Sequence, residues 1–305
     1  MKNVLIVGCG DVAQRALPWL TRRFRVLALV RRPETAAVLR SKGVTPVMGD
    51  LDSLRSLKRL AGIADIVLHS APPPDQGGDD PRTRRLLAVL GRGESLARRL
   101  VYISTSGVYG DCHGERVSES RPLKPTTARA RRRVAAEQRL RRFAARSRTR
   151  LTILRAPGIY AAERLSLERL KRGDPVLTQE EDVFTNHIHA DDLARAMILA
   201  IFRGQGGRTY NINDDASLQM GDYYDRMADT FGLPRPPRMS RIDCAQRLSP
   251  MMMSFMSESR RLDNARMKNE LRMRLLWPQV IDGLRAVRDL HLSNHEPNSN
   301  LAGKS

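Results

Sequence analysis

The stretch V4-L-I-V-G-C-G-D-V-A-Q-R-A-L17 decides the fold. Four apolar residues, Val4–Val7, read as a strand buried on both faces. They run straight into Gly8-Cys9-Gly10, and a helical pattern opens at Asp11. Outward from this unit, strands and helices alternate. Strands are expected at Val26–Val30, Thr45–Met48, Ile66–His69, Leu100–Ser104 and Leu151–Leu154. Helices are expected at Glu34–Ser41, Leu51–Leu60, Pro81–Leu96 and Thr126–Ala145. Such alternation predicts an α/β, Rossmann-type doubly wound parallel sheet.

The later half is less regular. Helices are expected at Asp191–Phe202, capped by Asp191 or Asp192, and at Met220–Phe231, Leu262–Leu271 and Pro278–Leu290. A strand is expected at Arg208–Ile212, and Gly232–Arg238 is a Pro-rich connector. The expected organisation is a sheet domain over 1–156, rejoined by 186–213. A smaller C-terminal substrate lobe takes 157–185 and 214–290, and a polar, disordered tail takes 291–305.

Gly8, Gly10 and Ala13 fit GxGxxG/A after a strand and before a helix, the context of a dinucleotide site. Gly8 permits the turn, Gly10 admits a pyrophosphate and Ala13 keeps the helix near the sheet. Free N–H groups at the helix start, from Cys9 through Asp11 and Val12, would face the phosphates. The second strand ends in V-R-R-P-E with no acid to hold a ribose 2′-hydroxyl. Arg31 and Arg32 stand there instead, so NADP is the expected cofactor and NAD the second choice.

The 305 residues carry a net charge of +20. Lysine occurs at only seven positions, so arginine supplies 46 of the 53 basic residues, a ratio that codon bias explains. Nucleic acid is therefore a weaker expectation than a small-molecule partner, since no helix-turn-helix or RNA-binding signature accompanies the charge. The dense run Arg129–Arg150 reads as a solvated helix face. Cys9, Cys112 and Cys244 are too far apart for a zinc motif, and D111-C-H-G-E115 has no zinc spacing, so no metal is expected. The absence of a membrane-length apolar run or export signal predicts a cytoplasmic protein. Met251–Met256 reads as core packing, with a substrate-facing wall or a homodimer contact as alternatives.

Several further segments, in order, resemble the short-chain dehydrogenase/reductase superfamily in its extended, NAD-dependent epimerase/dehydratase branch. M48-G-D-L51 resembles the adenine-contacting segment, L68-H-S-A-P-P-P74 the loop under the cofactor, and Y102-I-S-T-S-G-V-Y-G-D111 the catalytic strand end. L154-R-A-P-G-I-Y160 and N186-H-I-H-A-D-D-L-A-R-A196 match two later segments. The resemblance implies cofactor contacts from Asp50, Leu51, Ser70, Ala71 and Pro72. It places Thr105 at the catalytic Ser/Thr position, with Ser106 and Gly158 facing substrate. The family's YxxxK pair falls on Arg129 and Arg133. Arg133 is then expected on the ribose or phosphates and Arg129 on an anionic substrate. Arginine stays protonated near neutral pH, so neither replaces the tyrosine as proton shuttle. Tyr160 is the candidate replacement acid, Tyr109 is expected to pack, and of His187 and His189 one caps or packs while the other, His187, faces substrate. Arg260 and Arg261 are candidates to line an anion pocket. The implied activity is oxidoreduction or epimerisation of a small anionic substrate. The rivals are a catalytically silent NADP-binding sensor and a basic nucleic-acid-associated protein.

Overall fold

The computed structural model describes residues 1–293. Seven parallel strands form the central sheet: β1 (Asn3–Val7), β2 (Arg25–Val30), β3 (Thr45–Met48), β4 (Ile66–His69), β5 (Arg99–Thr105), β6 (Arg150–Ala156) and, later in the chain, Thr209–Asn211. Their spatial order is Thr209–Asn211, β6, β5, β4, β1, β2, β3. The order reverses beside β1, and an open α/β sheet binds its ligand at that switch point. Strands β1 and β4–β6 read as near-continuous apolar runs because helices cover both faces.

One face is covered by α1 (Asp11–Leu20), α2 (Pro33–Ser41) and α5 (Ala190–Arg203), and the other by α3 (Pro81–Leu90) and α4 (Ala128–Ser147). Helix α3 starts at Pro81, where Asp80 caps by accepting the Thr83 N–H at 3.0 Å. It stops at Gly91, not Leu96, because Gly91 and Gly93 disfavour further helix. Leu54–Leu60 forms a 3₁₀ turn rather than the expected α-helix from Leu51. Thr127 caps α4 through the Ala130 N–H. His189, not Asp191 or Asp192, caps α5: its ring nitrogen accepts the Asp191 N–H at 3.2 Å. Asp192 is instead fully buried and accepts the backbone N–H groups of Leu276 and Trp277.

The smaller lobe packs around Tyr160, Leu170, Tyr223, Met227 and Leu284. It contains α6 (Met220–Phe231) and α7 (Val280–Ser293). Two short strands, Gly158–Tyr160 and His187–His189, pair in parallel beside the sheet. The expected helix Leu262–Leu271 divides. Arg261–Leu262 pairs with Arg116–Val117, and a short helix runs from Ala265 to Glu270. The Asp263 carboxylate accepts the Ala265 N–H and starts that helix afresh. Helix α7 extends through Ser293, past the expected tail boundary at 291, and the rest of that expected tail, 294–305, lies outside the described residues. Among the described residues no helix is long and apolar enough to cross a membrane.

Candidate cofactor and substrate cleft

The glycine turn is built for close approach. Gly8 has φ +91°, and a Cβ there would lie 2.3 Å from the Ala71 nitrogen. The backbone N–H groups of Ser70 and Ala71 both donate to the Val7 carbonyl, and the Ser70 hydroxyl donates to the Gly8 carbonyl at 2.6 Å. Any side chain at position 8 would therefore part these two loops. Gly10 meets nothing within 4 Å, so open space lies above the start of α1. No side chain caps α1, and its first N–H groups have no partner within the helix. An uncapped helix start facing open space suits a pyrophosphate. These residues fit a dinucleotide cofactor.

Two cavities meet at this turn, sharing Gly8 and Pro72. The first, of about 240 Å³, is lined by Cys9, Arg31, Arg32, Thr35, Asp50, Leu51, Ala71 and Arg82, among others. Two exposed arginines, Arg31 and Arg32, stand at its rim. Arg82 is occupied by Asp52, at 2.7 Å. Burial pushes the Cys9 thiol up to about 11, with Lys42 opposing, so it remains a neutral wall group. The second cavity, of about 330 Å³, is lined by Gly10, Asp11, Val12, Ala13 and Ser70, then by Thr105 and the arginines 129, 132, 133 and 164. A third cavity of about 530 Å³ continues from Thr105 and Arg129 to Ser106, Gly158, Phe255, Glu258 and Arg260.

Helix α4 supplies three of these cations because Arg129, Arg132 and Arg133 stand at i, i+3 and i+4 on one face. That face lines the cleft: Arg129 stays exposed, as a solvated face would, whereas Arg132 is buried and Arg133 half-buried. Most of the cations are already engaged. Arg133 donates to the Tyr102 hydroxyl and the Ile103 carbonyl, each at 2.9 Å. Arg132 donates to the Gly77 carbonyl, Arg164 pairs with Asp11 at 2.8 Å, and Arg260 pairs with Glu258 at 2.8 Å. Burial raises the Asp11 carboxyl, but hydrogen bonds from Arg15 and Arg164 outweigh it and leave Asp11 below the usual range. Arg129 differs. Among the described residues its guanidinium has no hydrogen bond or ion pair; it stacks over Phe255 at 4.5 Å. Desolvation lowers its pKa, Glu258 opposes this, and Arg132, Arg133 and Arg260 add to the lowering.

Thr105 ends β5. Its hydroxyl oxygen accepts the Gly107 N–H at a long 3.3 Å, which leaves the O–H itself to donate. Arg129 and Thr105 line the same two cavities. Tyr160 is not brought to them. It is 2% exposed, its hydroxyl has no partner, and a Cβ on Gly283 would lie 2.3 Å from that oxygen. A hydroxyl held against α7 in this way is poorly placed to exchange protons with a group beside Thr105. His187 is buried, stacked on Tyr223 at 3.9 Å, and desolvation pushes its pKa down to about 3. Tyr109 is a packing residue, donating to Asn211 and accepting from Arg155. Arg261 leaves the cleft and donates to the Gly114 carbonyl, whereas Arg260 lines it.

Sequence reasoning missed Arg164 and Asp75, which line the second cavity, and gave the substrate-facing role of Met251–Met256, which holds Phe255, only as an alternative. No local motif marks them, because loops distant in sequence bring them to the cleft. Among the described residues no group of three or more His, Cys, Asp or Glu side chains is arranged to hold a metal.

A conserved protein from Silicibacter pomeroyi described as functionally unknown superposes with TM-score 0.77 at 29% identity, covering 95% of this chain and 99% of that one. UDP-glucose 4-epimerase from Thermotoga maritima, solved with UDP-glucose, also gives TM-score 0.77 at 16% identity, over 96% and 99% of the chains. That likeness is one of fold. In sequence, the chain is 27% identical to Protein YeeZ of Escherichia coli over 92% of this chain and 98% of that protein. It is 26% identical to a Stigmatella aurantiaca ketoreductase of 4-hydroxy-2-methyl-3-oxo-4-farnesyl-3,4-dihydroquinoline-1-oxide, over 76% and 74%. The family model described as NAD(P)H-binding matches residues 8–203, the segment that builds the glycine turn, the Thr105 strand end and α5, and the chain belongs to that NAD(P)H-binding family.

Proposed function

We propose that the chain is an NADPH-dependent reductase of a small anionic ketone. The carrying observation is Arg129, an unpaired cation in the cavity that Thr105 lines, at the position where the resembled family has its tyrosine. NADPH held at the glycine turn would supply a hydride to the carbonyl carbon, its own C–H bond breaking to leave NADP+, while the C=O π pair would move to the oxygen, which would take its proton from water. Thr105 and Arg129 are the two donors for the developing oxyanion, and positioned donors of this kind contribute roughly 10²–10³-fold each. The planar guanidinium has donors to spare for a neighbouring anionic group. Its role is electrostatic, so no titrating tyrosine is required. The ketoreductase relative agrees in reaction class.

Arg31 and Arg32 support the choice of NADP over NAD, because both line the adenosine cavity and the strand end carries no acid. Asp50 and Leu51 would border the adenine, and Arg133, held by Tyr102, the ribose.

A second reading, a silent NADP-binding sensor, is favoured by one observation: no tyrosine lines the cavities that Thr105 lines. Nicotinamide absorbance with a panel of 2-oxo acids separates the two. Oxidation of NADPH that falls about 10²-fold in Thr105→Val supports the reductase. Tight NADPH binding with no oxidation across the panel supports the sensor.

A further inference from the structure

The Thr105 cavity opens into a further compartment of about 250 Å³ whose chemistry is different. The two share Gly158, Ile159, Arg164, Thr185, Met220 and Phe255. Beyond these, the second compartment is walled by Tyr160, Ser166, His187, Tyr223, Tyr224 and Met252. The rings are mutually fixed. His187 lies on Tyr223 at 3.9 Å and 20°, Tyr160 stands edge-on to His187 at 6.4 Å and 82°, and Tyr224 stands edge-on to Tyr223 at 5.4 Å. His187 is buried and neutral. The one charged lining residue is Arg164, at the junction and already paired with Asp11.

A cleft with a cation at one end and a neutral, ring-lined chamber at the other selects an amphipathic ligand. Fixed aromatic walls favour a flat π-surface, which offsets or meets them edge-to-face. The thioethers of Met220 and Met252 adapt to such a ring and make sulfur–aromatic contacts. Phe255 belongs to both compartments and carries Arg129 on its face, so the cation stands beside a wall that the two halves share.

We infer that the substrate carries an aromatic ring beside its anionic group, with the ring seated among Tyr223, Tyr224 and Met252 and the anion at Arg129. The anion half rests on the reading proposed above; the ring half does not, and the two are measured apart. The protein is saturated with NADP+, so that no turnover occurs, and titrated calorimetrically with phenylpyruvate, pyruvate and acetophenone. Phenylpyruvate is expected to bind at least about tenfold more tightly than either of the others, given the apolar area a phenyl ring buries. Met252→Trp, which fills the chamber from its half-buried rim, is expected to bring phenylpyruvate down to the level of pyruvate and leave pyruvate unchanged. Tyr223→Ser is the second variant, with the same expectation.

Equal affinity for phenylpyruvate and pyruvate overturns the ring assignment and leaves the anion reading standing. Equal affinity for phenylpyruvate and acetophenone, both above pyruvate, supports the ring and overturns the anion reading. A phenylpyruvate preference that survives both substitutions places the ring elsewhere and overturns the inference, as does failure of all three probes to bind.

Discussion

The guanidinium of Arg129 lies 4.5 Å over the ring of Phe255, a residue 126 positions further along the chain. The contact holds a cation at the mouth of the Thr105 cavity without neutralising it. A carboxylate in place of Phe255 would have cancelled the charge, whereas a ring face attracts it and leaves every N–H free to donate. The cleft that Thr105 and Arg129 line therefore keeps an unneutralised cation.

Cofactor choice follows from the rim of the adenosine cavity. NADP(H) is expected to bind at least about tenfold more tightly than NAD(H) at low salt, since one charge-assisted contact contributes about 1.5–3 kcal/mol and exposure reduces it. Substituting Arg31 and Arg32 together by Ala should remove most of that preference and leave NAD affinity nearly unchanged. Fluorescence titration of both cofactors on both proteins measures this. A preference that survives the double substitution would make these arginines ordinary surface charges.

A buried ion pair lies beneath the strand end that bears Thr105. Arg155 and Glu137 are paired at 2.7 Å with side chains 3% and 2% exposed, and Ser104 and Tyr109 complete the network. Removing one partner leaves an uncompensated buried charge, so Glu137→Ala should cost about 3–5 kcal/mol. Replacing both by Met should cost less than the single change. Urea unfolding of wild type and the two variants decides it, and a loss below about 1 kcal/mol in Glu137→Ala would contradict the assignment.

Acid should destabilise the protein through two buried histidines. Desolvation pushes His69 down to about 4, with Asp80 opposing, and His187 to about 3. Unfolded histidine titrates near 6.5, so below that pH the unfolded state binds more protons than the folded one. Stability is therefore full above about 6.5 and is lost as pH falls toward 4 and then 3, by up to about 1.4 kcal/mol per pH unit for each histidine. Thermal unfolding between pH 7 and pH 5 should show a declining midpoint, with a shallower slope in His187→Phe. An unchanged slope in that variant would show that His187 is already protonated or hydrated in the folded state.

The sheet was legible because most strands carry their own apolar run and many turns their own glycine or proline. Ile66–His69 and Thr45–Met48 emerge with the expected bounds, and so does α6 at Met220–Phe231. The glycine turn was legible for the same local reason. What escaped was decided by distant partners. Leu262 joins a strand because Val117 offers an edge, and the arginine face of α4 turns inward because Phe255 and Glu258 close over it. Tyr160 has the right residue type for an acid, but α7 packs on its hydroxyl, and no local pattern encodes that contact.

The most direct test of the Arg129 assignment is the steady-state kcat/KM of Arg129→Met against wild type for NADPH oxidation with the best 2-oxo acid of the panel, with the NADPH Kd measured alongside. The account predicts a fall of about 10²–10³-fold in kcat/KM and an NADPH Kd within about twofold of wild type. Unchanged turnover, or a loss fully explained by weaker NADPH binding, would contradict it.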